Sequence, residues 1–327
     1  MDLLRLPIRF RNPRFRFYCS YLFDWVLCIV LLLLFFSLDK AEPFHRDFSV
    51  QDTTIMFPYK SKETIPVWAL GLIAVFFPVV TILVVGLGIR RSRHDFHNGI
   101  LGLLVSLMLA NVFTQALKVT VGKPRPDFLS RCQPMMNGTL ITHDEPLKLW
   151  THDVCSQTDA AILKDGYLAF PSGHSSNAFA GLFYISLWLA GKMHVFDRGG
   201  YSLKGVIFII PILTALLIAI SRVEDYRHAP IDVTWGAILG IVSAIFAYHQ
   251  YYPSLTSTLS QIPHPPRDFR YLEKDLQGQV EELGQVEQDT SIQLNDNIVE
   301  SIQLEENANI HSSSSRLMRK GVAPHIV

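Results

Sequence analysis

Apolar residues along this chain gather into long runs instead of recurring at a helical or strand period. About six runs stand out, each near the roughly 20 residues that carry a helix across a bilayer. They cover residues 17–38, 66–89, 99–119, 174–191, 203–221 and 231–252. A helix in water shows a polar face every turn, and these runs mostly lack one. The pattern predicts an all-α fold, a multi-pass membrane bundle of about six transmembrane helices. Pro78 interrupts the second run, which a membrane helix tolerates because neighbouring groups re-satisfy the freed carbonyl.

Charge falls between the runs and sets their direction. Arg5, Arg9, Arg11, Arg14 and Arg16 precede the first run; Arg90, Arg91 and Arg93 follow the second; Lys192, Arg198 and Lys204 follow the fourth. Short loops rich in Lys and Arg stay in the cytosol. All three basic segments then share one side, with both termini cytosolic, while loops 39–65, 120–173 and 222–230 face the lumen or the outside. The first run is long and has no small-residue cleavage site, so it reads as a retained anchor.

Three regions follow: a basic cytosolic N-terminus (1–16), a transmembrane domain (17–252) and a cytosolic tail (253–327). The end of the tail is polar, with an imperfect repeat, SIQLNDNIVE then SIQLEENANI, and a Ser312–Ser315 run open to phosphorylation. Such composition predicts disorder. At 49% hydrophobic and 18% charged residues the chain is too apolar for an average soluble protein. Its zero formal net charge gives no reason to expect nucleic acid as a partner. The oligomeric state is not legible.

Two features of the 120–173 loop suit a lumenal setting. Asn137-Gly138-Thr139 is the only glycosylation sequon. Cys132 and Cys155 flank it, and that compartment permits either a disulfide or two free thiols. Cys19 and Cys28 lie in the first run and read as packing residues.

Candidate chemistry concentrates at run ends on this same side. Intramembrane charge is costly and marks functional candidates. At the end of the third run, Asn111, Gln115 and Lys118 share a helix face that leads to Lys118, Lys123 and Arg125. Lys118 and Arg125 are candidate phosphate contacts, and Lys123 reads as a cation snorkelling to the interface. Before the fourth run, Pro171-Ser172-Gly173-His174 offers free backbone N–H groups to an anion, with His174 placed to give or take a proton. Between the fifth and sixth runs, Arg222 and His228 lie at the span ends. Asp232 follows His228 at helical spacing, within reach of its ring. A carboxylate on one ring nitrogen would fix the tautomer and leave the other nucleophilic. Each segment alone has a bland reading: a positive flank, a helix cap, a structural His–Asp pair. Together they supply three cations, a buttressed nucleophile and a proton donor, the kit that phosphoryl transfer needs.

These segments resemble the signature of the type 2 phosphatidic acid phosphatase superfamily: Lys-x6-Arg-Pro, Pro-Ser-Gly-His and Ser-Arg-x5-His-x3-Asp, here KVTVGKPRP, PSGH and SRVEDYRHAPID. The resemblance covers roughly residues 20 to 250, and is strongest to fungal diacylglycerol pyrophosphate phosphatases; HRDFSVQDTTIMFPY after the first run supports that subgroup. It implies a metal-independent, cofactor-free lipid phosphate phosphatase acting on phosphatidate or diacylglycerol diphosphate. His228 would become phosphohistidine, Asp232 would orient it, and His174 would protonate the leaving oxygen. Lys118, Arg125 and Arg222 would hold the phosphate with Ser172 and the Gly173 amide. No carboxylate cluster suited to Mg²⁺ is evident. Many lipid-directed members carry a second His after the nucleophile; Ala229 stands there, which touches substrate preference. The organelle is not legible: vacuole, Golgi, endoplasmic reticulum and plasma membrane all fit.

Other readings make distinct demands. A polyprenyl diphosphate or sphingoid-base phosphate phosphatase would use the same residues. A non-catalytic lipid-phosphate binder would lack part of the kit, which is intact here. A vanadate-dependent haloperoxidase would not need the membrane runs. A transporter or channel would line a path through the bilayer, whereas the charge gathers at one face.

Overall fold

Six long helices form the fold, described in a computed structural model for residues 21–265 except 147, 197, 198 and 200. The basic N-terminus, the start of the first run and the repeat and serine run of the tail lie outside the described residues. We number the helices α1 (Leu22–Lys40), α2 (Val67–Ile89), α3 (Arg93–Val121), α4 (Gly173–Met193), α5 (Ser202–Glu224) and α6 (Pro230–Tyr251). Five are long and apolar enough to cross a membrane: α1, α2, α3, α5 and α6. Their outer faces carry exposed Leu, Ile, Val and Phe, as Leu33 on α1, Phe76 on α2 and Leu217 on α5 illustrate. In lipid that is the comfortable arrangement, since the solvent there is itself apolar.

The predicted fourth span differs. Helix α4 exists, but its sequence GHSSNAFAGLFYISLWLAGKM is not apolar enough to join that set. The reason is its position. It packs against α2, α3, α5 and α6, and most of its residues are buried among them. A helix surrounded by helices needs small and hydrogen-bonding residues more than lipid-facing ones. A Cβ on Gly181 would lie 1.9 Å from the Ala74 carbonyl oxygen of α2, and one on Gly240 of α6 would lie 2.4 Å from the Ser176 carbonyl oxygen. Ser106 of α3 donates to the Ala180 carbonyl at 2.8 Å, and Thr114 donates to Ser176 Oγ at 2.9 Å. The polar stripe of α3 is spent on neighbours in the same way: Asn111 and Asn177 exchange amide hydrogen bonds, and Gln115 donates to Asp39 of α1.

Helix ends follow local chemistry. In α2 a π-helical turn over Leu72–Phe76 ends two residues before Pro78, and the Phe77 amide reaches back to the Leu72 carbonyl. Widening the turn before a proline accommodates its missing N–H. The Ser92 hydroxyl caps α3 by accepting from the Asp95 amide. Gly122 closes that helix with φ +54, where a Cβ would lie 1.6 Å from the Phe44 carbonyl oxygen.

At the end of the bundle where α2 meets α3, Lys192 of α4 forms a close ion pair with buried Asp95 of α3. Tyr252 donates to the same carboxylate at 2.9 Å and receives the Trp188 indole N–H at 2.9 Å. The folded unit continues past the predicted boundary at 252 to His264. The reason is hydrogen bonding: Lys192 donates to the Gln261 carbonyl, Ser260 donates to the Gly191 carbonyl, and the His264 amide donates to the Tyr251 carbonyl.

At the opposite end, loops 41–66 and 122–172 build a small cap with its own core of Phe48, Val50, Ile55, Phe128, Trp150, Leu163 and Tyr167. Cys132 and Cys155 are disulfide-bonded inside it. A hairpin, β1 (Met135–Met136) and β2 (Thr139–Leu140), turns through Asn137 and Gly138 at φ +50 and +79. Asn-Gly is the pair that a two-residue turn of this hand favours. The sequon asparagine therefore sits exposed at a loop tip.

Candidate active site

The predicted site residues meet under the cap, at the C-terminal ends of α3 and α5 and the N-terminal ends of α4 and α6. The Ser172 amide donates to the Asp232 carbonyl at 2.9 Å, which ties the start of α4 to the first turn of α6. Gly236 makes the close approach possible, since a Cβ there would lie 2.5 Å from the Ser172 carbonyl oxygen. Lys118 comes in from α3: its Nζ lies 3.3 Å from where a Cβ on Gly173 would stand. An ammonium group thus sits over the helix start that offers free N–H groups. Among the described residues the buried Ser172 hydroxyl has no hydrogen-bond partner.

Arg125 lies on the loop after α3, buried, with its amide donating to the Gly166 carbonyl and its Nη2 donating to Asp165 at 2.7 Å. Among the described residues its buried Nε has no hydrogen-bond partner. Asp165 also accepts from Arg131 at 3.0 Å and from Arg227 at 3.3 Å. Burial pushes the Asp165 carboxyl up, but Arg125, Arg131, Lys118 and Arg227 together outweigh it and hold the group below the usual carboxylate range. Arg131 is itself locked by a two-pronged bond to buried Asp127, both contacts 2.9 Å. The cap core thereby fixes where Arg125 points.

Arg222, at the end of α5, is buried and surrounded by acceptors. Its Nη2 donates to Asp225 at 2.6 Å and its Nη1 to Glu63 at 3.1 Å. Burial raises the Asp225 carboxyl, but the Thr64 amide and hydroxyl, Lys60 and Arg222 outweigh that and keep it low. His174, in the first turn of α4, donates from Nε2 to the Ile65 carbonyl at 3.0 Å, and the Glu63 carboxylate lies 3.8 Å away.

His228 is buried, and its Nδ1 lies 2.6 Å from the Ala169 carbonyl oxygen. A carbonyl only accepts, so Nδ1 carries the proton and Nε2 keeps its lone pair. Burial, then Arg125 and Lys118, push His228 well below its ordinary value of 6.5. Both effects favour a neutral ring with Nε2 unprotonated.

Asp232 does not touch that ring. Its spacing from His228 predicts an orienting contact, and the structure corrects this. Its Oδ1 accepts from Lys123 at 2.6 Å and its Oδ2 from the Ala229 amide at 2.9 Å. At the third position of α6 the side chain folds back over its own helix start, where the free N–H of Ala229 is the nearer donor. Asp232 is therefore linked to His228 through the Ala229 peptide and not by a bond to the ring. Lys123 is corrected with it: it is an ion-pair partner of a buried carboxylate, not a free interfacial cation. Sequence reasoning also missed the Ala169 carbonyl, Glu63, Asp165, Asp225 and Arg227. Asp225 and Arg227 lie inside the Ser-Arg-x5-His segment, where charge was visible. The backbone oxygen of Ala169 left no signal. Among the described residues no three His, Cys, Asp or Glu side chains converge as a metal site.

Comparison with known proteins gives the family of the chain. The family described as the PAP2 superfamily matches residues 99–255, which contain all three motif segments. Lipid phosphate phosphatase 2 of Arabidopsis thaliana is 43% identical over 232 residues, covering 70% of this chain and 77% of that protein. Diacylglycerol pyrophosphate phosphatase 1 of Saccharomyces cerevisiae is 36% identical over 240 residues, covering 72% and 81%. A probable diacylglycerol pyrophosphate phosphatase of Schizosaccharomyces pombe is 36% identical over 258 residues, covering 77% and 86%. No solved structure matches. With the motif residues gathered at one end of a membrane helical bundle, and relatives this similar along most of their length, the chain belongs to the PAP2 superfamily.

Proposed function

We propose that this protein is an integral membrane lipid phosphate phosphatase that hydrolyses phosphatidate and diacylglycerol diphosphate through a phosphohistidine. The observation that carries the reading is His228: a neutral ring, protonated on Nδ1 by its bond to Ala169, lying buried beside Arg125 and Lys118. In the first step its Nε2 attacks the terminal phosphorus. A P–N bond forms while the P–O bond to the leaving group breaks. His174, which takes up a second proton as the phosphate dianion binds beside it, delivers a proton to that oxygen and returns to the neutral ring, releasing diacylglycerol or phosphatidate. Water then attacks the phosphohistidine and gives a proton back to His174. The P–N bond breaks and inorganic phosphate leaves. Lys118, Arg125, Arg222, the Ser172 hydroxyl and the Gly173 amide neutralise the equatorial oxygens as charge builds. These residues supply the chemistry without a metal or cofactor.

The site opens on the extracytoplasmic side. The disulfide and the exposed Asn137 sequon share its end of the bundle, while Arg90, Arg91, Arg93 and Lys192 lie at the other. Asn137 is a glycosylation site in this orientation. Membrane embedding favours lipid substrates, because acyl chains stay in the bilayer while the headgroup enters the cradle.

The test is phosphate release from the purified protein in detergent micelles containing EDTA, comparing phosphatidate with diacylglycerol diphosphate. Metal-independent release that disappears in His228→Ala supports the mechanism. Absence of release from either lipid by folded wild type overturns it.

A further inference from the structure

Each nitrogen of Arg222 already faces an acceptor. Its Nε faces the Ser221 hydroxyl at 3.4 Å, Nη2 is on Asp225 at 2.6 Å and Nη1 is on Glu63 at 3.1 Å. Three of its five N–H donors are engaged, so a phosphate held by Arg222, as the proposed function requires, competes with one of these partners for the guanidinium. Asp225 is not the one. Besides Arg222 it accepts from Lys60 at 3.0 Å, from the Thr64 amide at 2.8 Å and from the Thr64 hydroxyl at 2.7 Å, and its side chain is fully buried. Glu63 is different. It lies on the loop before α2, its side chain is 23% exposed, and no amide or hydroxyl donates to it among the described residues. Its neighbours are all cations or a potential cation: Arg222 at 3.1 Å, Arg227 at 3.5 Å and His174 at 3.8 Å.

A carboxylate with those three neighbours sits as one edge of a bound phosphate would: against the arginine of the cradle, beside the proton donor. Two anions competing for one arginine edge in a buried site repel strongly, so a phosphoryl group and Glu63 exclude each other there. Arg227 gives the displaced carboxylate somewhere to go. It already meets the other oxygen of Glu63, and its Nη2 is anchored to the Lys60 carbonyl at 3.0 Å.

We infer that Glu63 is an internal competitor for the phosphate subsite: its carboxylate occupies the Nη1 edge of Arg222 in the free protein and exchanges with the phosphoryl group on binding. The exchange weakens substrate and product alike, and it hastens departure of inorganic phosphate. Glu63 is a binding-site residue that sets affinity, not a member of the proton-transfer machinery. None of the three motif segments includes it, and its loop precedes the matched residues 99–255.

The experiment uses the full chain in detergent. Inhibition by inorganic phosphate is measured with KM and kcat for phosphatidate, in wild type, Glu63→Gln and Glu63→Ala. Loss of the carboxylate is expected to tighten phosphate inhibition about tenfold, roughly 1.4 kcal/mol, and to lower KM in parallel. A residue that merely braced Arg222 would give the opposite sign, so unchanged or weaker inhibition in either variant that remains monodisperse overturns the inference. Should Glu63→Gln fail to fold, Glu63→Ala decides; should both fail, the contacts of Glu63 are structural and the inference is overturned. Wild type that neither turns over phosphatidate nor is inhibited by phosphate would overturn the proposed function itself. Normal wild-type turnover with unaltered inhibition in the variants would remove only the role given to Glu63.

Discussion

The Nδ1–H of His228 donates to the carbonyl oxygen of Ala169 across 2.6 Å, from the loop between α5 and α6 to the loop before α4. This one bond sets the tautomer of the proposed nucleophile. It also links the two loops that carry the second and third motif segments. A backbone oxygen cannot be deleted by mutation, so its consequences are read through the ring.

The first concerns pH. Burial, with Arg125 and Lys118, lowers the His228 pKa, so the ring stays neutral as pH falls past 6.5. The unfolded chain takes up that proton first, and stability from this group is lost as pH falls below 6.5 toward the folded value. Titration of the free protein by histidine-resolved NMR is expected to show no protonation of His228 near 6.5. Arg125→Gln should move its midpoint upward, because a cation that disfavours the charged ring is gone.

Removing the proposed nucleophile or acid should leave different signatures. His228→Ala is expected to lower kcat by more than about a thousandfold on every substrate. His174→Ala should lose about a hundredfold or more on phosphatidate, whose alkoxide leaving group needs a proton. The loss should be smaller on diacylglycerol diphosphate, which expels a phosphate. Steady-state rates on the two lipids check this ratio.

Asp232 binds Lys123 and the Ala229 amide, so its variants should sort by the cap and not by a contact with the ring. Asp232→Asn keeps an acceptor for Ala229 and should resemble Lys123→Met, each losing about tenfold in activity. Asp232→Ala removes the cap as well and should cost a further ~1 kcal/mol of stability. Complete inactivation by Asp232→Asn, with Lys123→Met active, would instead mean a direct role on His228.

The disulfide closes a loop between Cys132 and Cys155, 23 residues apart. Replacing both with serine is expected to cost about 3 kcal/mol, read as a lower thermal midpoint in detergent. Activity should fall with it, because the same cap carries Arg131 and Asp165, which aim Arg125.

Gly236→Ala would put a Cβ 2.5 Å from the Ser172 carbonyl oxygen. Backbone cannot yield cheaply there, and overpacking of this kind costs about 1–3 kcal/mol. Loss of activity beyond the loss of folded protein is expected, since Ser172 is part of the proposed phosphate cradle.

Much of this protein is set by its sequence alone. Five helices follow from long apolar stretches, because a bilayer asks for length and hydrophobicity and little else. Lys118, Arg125, Ser172, His174, Arg222 and His228 stand out in the sequence as candidates because charged and polar groups beside apolar spans are costly to keep. Tertiary structure decided the partners. Helix α4 is sheltered by its neighbours, so its small polar residues answer to helix contacts and not to lipid. The acceptor for His228 is a peptide oxygen, identical in every residue, so no letter could mark it. Asp232 turned to Lys123 and Ala229, although its spacing from His228 allowed the ring. Glu63 reaches Arg222 across 159 positions of chain, a contact that only folding creates. Sequence spacing limits what a side chain can reach, and the choice among reachable partners falls to three-dimensional packing.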